Sequence, residues 1–157
     1  MDAAYYGTKR DKAKHICDAQ RSIHSPYFGD DIVFNSDGFH HLRYSARRER
    51  SKEEQVLKFT LLPLGIRILK TATTVQEFRK LLTPVGSPSG RDGATKMKLT
   101  EWWGFVAIFI EQDIKVRVVV RKVGEGQLHF WSVMPYSKLR RGEEVGQKMY
   151  TEGIEDE

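Results

Sequence analysis

The sequence predicts an α+β domain, with N-terminal helices packed on a C-terminal antiparallel β-meander. Two observations lead there. The first half carries three capping boxes and apolar residues at helical spacing. After residue 100 come three runs rich in β-branched and aromatic residues, "EWWGFVAIFI", "IKVRVVVRKV" and "QLHFWSVMP", joined by the short turns "EQD" and "GEG". A chain of 157 residues is long enough to bury a core without disulfides or metals. Residues 1–142 read as one domain and residues 143–157 as an acidic C-terminal tail.

Thr8 to Asp11 forms the first capping box, and Ala13, Ile16, Gln20 and Ile23 fall at helical spacing, so a helix is expected over residues 9–23, ended by Ser25-Pro26. Residues 32–34, "IVF", give a short strand stopped by the turn cluster Asn35-Ser36-Asp37-Gly38. Phe39 and Leu42 then suggest a short helix, with Arg43 and Arg47 on another face. Ser51 to Glu54 opens the next helix, whose buried stripe is Val56, Phe59 and Leu62 and whose stop is Pro63. "LGIRILKTA" fits a helix or a strand equally. Thr74 to Glu77 predicts a further two-turn helix ending at Thr83-Pro84, and residues 83–97, dense in Gly, Pro and Ser, a long loop. In the second strand Ile114, Val116, Val118 and Val120 share one face; Lys115, Arg117, Val119 and Arg121 share the other, making that face basic. In the third, Phe130, Ser132 and Met134 alternate with His129, Trp131 and Val133.

Net charge is +5, but residues 143–157 hold six acids against Lys148, a net of −5, so residues 1–142 carry +10. Such a body attracts phosphate backbones, and an acidic tail can screen it or compete with the ligand. No apolar run reaches the roughly 18 residues of a membrane span, and the first residues lack a signal-peptide core, so no membrane partner and a cytoplasmic location are expected. The single Cys17 excludes a disulfide framework. There is no HExxH, zinc-finger spacing, GxxxxGK[ST], GxGxxG or GxSxG, so no metal and no cofactor are expected.

What remains is the stretch "FHHLRYSARRER" with the basic strands behind it. RNA can be cut without a metal when a base takes the 2′-hydroxyl proton, a guanidinium stabilises the charge at phosphorus and an acid protonates the leaving oxygen. His40 or His41, with Arg43, Arg47, Arg117 and Arg121, could fill these roles. Ser132 could bond a phosphate, and Tyr136 could stack on a base or give a proton. Arg43, Arg47, Arg48 and Lys115 are candidate phosphate contacts, and Trp102, on the opposite face from Trp103, a candidate base platform. His129, beside two aromatic residues, reads as a packed side chain. The same charges fit a module that binds nucleic acid without cutting it.

The order of these segments, the strand "IVF", a turn, "GFHHLRYSARRE", helices, a loop and a meander ending in "LHFWSVMP", resembles the metal-independent ribonuclease group that joins barnase, EndoU, colicin tRNases and RelE-like toxins. It is most similar to the phage-associated and polymorphic-toxin branch, over about residues 30–137. The resemblance implies RNA cleavage, tRNA included, through a 2′,3′-cyclic phosphate. It implies a histidine from the helical half (His41 or His40), a basic residue from the central strands (Arg117 or Arg121) and a hydroxyl from the last strand region (Ser132 or Tyr136). An acidic antitoxin or immunity protein is the implied partner. The doubled histidine departs from the EndoU branch, where a separated second histidine is expected.

Overall fold

The structure is a computed structural model describing residues 1–45, 47–89 and 93–136, with the side chains of 87–89 left aside. The expected acidic tail lies outside these residues. The chain is α+β: helix α1 (Ala3–Gln20), strands β1 (Ser22–Ser25) and β2 (Asp30–Val33), helices α2 (Ser36–Arg43) and α3 (Lys52–Thr71), then strands β3 (Glu77–Ser89), β4 (Ala94–Phe109), β5 (Ile114–Val123) and β6 (Leu128–Pro135). One six-stranded sheet runs in the order β1-β2-β6-β5-β4-β3. All neighbours are antiparallel except β2 and β6, which run parallel through Ile32↔Leu128 and Val33↔His129.

Several expectations are corrected. Helix α1 starts at Ala3, capped by the Asp2 carboxylate on the Ala4 N–H, and stops at Arg21, whose φ of 47° breaks the helical path. Ile23 thus lies in β1, a four-residue strand too short to show a period. Pro63 sits inside α3 instead of ending it. Proline costs about 3 kcal/mol in a helix interior, and burial on both sides of it offsets this: Val56, Phe59, Leu61 and Leu62 before, Ile66, Ile68 and Leu69 after. The Ser51–Glu54 capping box is formed as expected.

The expected helix after Thr74 is instead strand β3, and the expected loop 83–97 is largely the far end of the β3–β4 hairpin. Tertiary pairing decides here. Gln76 bonds the Gly104 carbonyl through its backbone and accepts the Val106 N–H on its side chain, which locks the chain into register with β4. Gly86 and Gly93 carry the left-handed backbone (φ 78° and 66°) of the distal turn region.

The two faces of β5 divide as the alternation predicts. Val116, Val118 and Val120 join Phe105, Phe130 and Val133 in the main core against Leu62, Ile66 and Leu69 of α3, while Val119 packs with Trp102 and Trp131 on the far face. The expected alternation of β6 is broken, because the register jumps from Val119↔Ser132 to Val120↔Phe130, leaving Trp131 as the extra residue of a bulge. Phe130 and Val133 consequently share the core face. Gly65 permits the close approach of α3, since a Cβ there would lie 3.0 Å from a Val133 methyl.

Helix α2 packs against β6. Asn35 caps it, its Oδ1 accepting the Gly38 N–H at 3.2 Å. A Cβ on Gly38 would meet the Phe130 ring at 3.1 Å and the Phe130 carbonyl at 3.3 Å, and a backbone oxygen cannot yield cheaply. Gly38→Ala is expected to lose about 1 kcal/mol net in urea denaturation, the overpacking penalty of roughly 1–3 kcal/mol outweighing the gain of about 1 kcal/mol in helix propensity.

Candidate functional site

The arginine-rich stretch serves mainly to fasten the α2–α3 connection. Arg48 grips Glu54 with two bonds, 3.0 and 3.2 Å, and the Ser51 N–H adds a third; these hold the Glu54 carboxyl down at about 2, Arg48 contributing most. Arg43 reaches Gln55 at 3.4 Å and Glu49 at 3.7 Å, and Arg50 Nε donates to the His41 carbonyl at 3.3 Å. Arg47 is exposed and makes no ion pair among the described residues. Phosphate gripping by Arg43 and Arg48 would therefore compete with carboxylates already in place.

The two histidines separate. His40 stacks on Tyr44 at 4.5 Å. His41 is buried and stacks on Trp131 at 3.6 Å. The Arg121 guanidinium also lies 3.6 Å from the Trp131 ring, so the bulge residue joins a helical histidine to a strand arginine. Among the described residues Arg121 makes no ion pair. Next to it on the paired strand is His129. Arg121, His129, Trp131, Asn35 and Asp37 line a cleft of about 130 Å³ between the start of α2 and the sheet.

The cleft brings one cation, Arg121, one carboxylate, Asp37, and the His129 imidazole together. Burial pushes the Arg121 guanidinium down from its ordinary value, opposed by Asp37; arginine keeps its charge in proteins, so the group is a partly desolvated cation. Burial first, then the Arg121 charge, lowers the His129 pKa against the smaller opposite pull of Asp37. His129 is thus neutral at neutral pH. Because Asn35 turns its oxygen to Gly38, its amide Nδ2 faces His129 Nδ1, at 3.4 Å, making Nδ1 the lone-pair nitrogen.

The other expected site residues lie elsewhere. Arg117 is buried, donates to both Glu77 oxygens at 3.3 and 3.4 Å, and touches Met134 sulfur. It stands four residues from Arg121 on β5, about 13 Å along an extended chain, with its guanidinium committed to Glu77 instead of to a phosphate. Tyr136 lies over Lys115 and Arg117 at 4.7 and 5.5 Å. Ser132 is fully buried and accepts from Lys58 Nζ at 2.9 Å; Lys58, itself buried, also donates to the Val133 carbonyl at 3.0 Å. Ser132→Ala is expected to cost about 1–3 kcal/mol in urea denaturation by removing one acceptor of a buried ammonium. Trp102 is 4 % exposed and offers no open ring for a base. Burial of Cys17 raises its thiol to about 12, leaving no thiolate nucleophile at neutral pH.

Neither the family models, nor the curated proteins, nor the solved structures contain a match to this chain. Among the described residues no three His, Cys, Asp or Glu side chains converge to hold a metal ion, and no helix is long and apolar enough to cross a membrane. The cleft residues that sequence reasoning passed over are His129, Trp131, Asn35 and Asp37. The "NSDG" cluster reads as a turn, and nothing local reveals that it caps a helix facing His129.

Proposed function

We propose that the domain is a metal-independent ribonuclease whose scissile phosphate sits at Arg121. The observation that carries this reading is the pairing, in one cleft, of a guanidinium in no ion pair among the described residues with an imidazole kept neutral beside it. Transphosphorylation needs both: an uncharged base for the 2′-hydroxyl proton and a fixed cation for the charge growing on the phosphoryl oxygens. The free lone pair of His129 is on Nδ1, and the 3.4 Å contact with Asn35 is long enough for a 2′-hydroxyl to replace it. As His129 takes the proton, the oxygen of that hydroxyl attacks phosphorus, the bond to the 5′-oxygen breaks, and the departing 5′-oxygen takes a proton from water, leaving a 2′,3′-cyclic phosphate. The +10 charge of residues 1–142 and the similarity of segment order to the barnase, EndoU, colicin and RelE-like group support the same substrate. An enzyme of this kind needs an acidic antitoxin or immunity protein in the cell that makes it.

A DNA oligonucleotide with a single internal ribonucleotide tests the proposal. Cleavage at that one position, in excess chelator, is expected; an all-DNA control stays whole. Cutting of the control, or no cutting of either, overturns it. The second reading, a phosphate-binding module without catalysis, is favoured by one observation: His41 and Ser132, expected as catalytic groups, are both buried. Uncut RNA bound with an affinity that falls steeply with salt is its signature.

A further inference from the structure

The sheet face turned away from the main core combines three features. Trp102, Val119 and Trp131 form an apolar floor. The indole N–H groups of Trp102 and Trp131 are buried without a hydrogen-bond acceptor, although buried indoles usually have one. Along β5 beside this floor, the half-buried Lys115 and Arg121, neither in an ion pair among the described residues, flank the buried Arg117, which Glu77 holds. The floor itself is covered, so what this face offers the carboxylate oxygens of a chain is its two half-exposed cations, Lys115 and Arg121.

The described residues run out at Tyr136, on this same face, with its N–H on the Lys115 carbonyl and its ring over Lys115 and Arg117. Glu143 and Glu144 follow seven and eight residues later, within about 25 Å of extended chain. Lys115 to Arg121 spans only about 20 Å, so both half-exposed cations are in reach. Residues 143–157 carry six acids and one lysine, while the body they are joined to is strongly basic. We propose that this acidic segment binds the Lys115–Arg121 face as an internal competitor of RNA. The proposal rests on the reading of Arg121 as an RNA phosphate contact. Intramolecular attachment gives the segment a high effective concentration, so it restrains RNA binding most at low salt and yields to long RNA that contacts many cations at once.

Two measurements on the full chain test it. Carbodiimide cross-linking followed by peptide mapping is expected to join carboxylates of 143–157 to Lys115, and excess 2′-O-methyl RNA to suppress those links. Glu143→Gln with Glu144→Gln is expected to tighten binding of the same RNA about fivefold at low salt, whereas the charge-matched pair Glu53→Gln with Asp11→Asn, exposed on α3 and α1, has less than half that effect. Equal effects of the two pairs, or no cross-link that RNA removes, overturn the proposal. Failure of the underlying reading looks different: Arg121→Ala would then leave RNA affinity unchanged whatever the acidic segment does.

Discussion

Arg121→Ala is expected to weaken single-stranded RNA binding by about 10- to 100-fold, the range for losing charge-assisted bonds to one phosphate from a partly desolvated guanidinium. Arg121→Lys should recover only part of this, because an ammonium keeps the charge but not the planar fork or the flat contact on Trp131. Filter binding across a salt series checks both. The slope of log affinity against log salt should flatten by roughly one unit in the alanine variant. Arg117→Ala serves as the contrast. Its charge already faces Glu77, so its loss should reduce stability more than RNA affinity.

His129→Ala is expected to slow cleavage by about 100- to 10,000-fold, the usual contribution of a positioned general base, while changing RNA affinity little. Its pH dependence has a definite sign. The folded-state pKa of His129 lies below the ordinary histidine value, so the neutral, proton-accepting ring persists as pH falls through about 6.5, and base catalysis is lost only when pH passes the lower folded value. Linkage runs the same way: the unfolded chain binds the His129 proton more readily, so this contribution to stability is whole above the ordinary histidine pKa and is lost as pH falls through the folded one. Asp37→Asn removes a carboxylate that opposes this depression, and should lower the acid limb of the pH–rate profile further.

The elements legible in the sequence are those whose local signal and tertiary role agree. The valines of β5 alternate with Lys115, Arg117 and Arg121 because one face is core, and the period of two survives in the chain. The Ser51–Glu54 box works as read because both bonds are local. β3 was illegible for the opposite reason. "QEFRKLL" after Thr74 has a helix start and helix formers, and only its pairing with β4 makes it a strand. The bulge at Trp131 is likewise a property of two strands, and it decides the site. By inserting one residue it turns Trp131 toward His41 and Arg121 and puts Ser132 within reach of Lys58. Of the expected catalytic residues, His41 and Arg121 meet through that ring. His40, Arg117 and Tyr136 lie on other clusters, and His129, read as packed from its aromatic neighbours, lines the cleft.

Single-turnover cleavage of end-labelled single-stranded RNA in excess chelator, by the unaltered chain and by His129→Gln, is the most direct measurement of whether this cleft does chemistry. The account predicts that the unaltered chain leaves 2′,3′-cyclic phosphate ends and that His129→Gln binds the same RNA with similar affinity but leaves it essentially uncut. Equal cleavage by both proteins would contradict the assignment of His129, and intact RNA with the unaltered chain would contradict catalysis altogether.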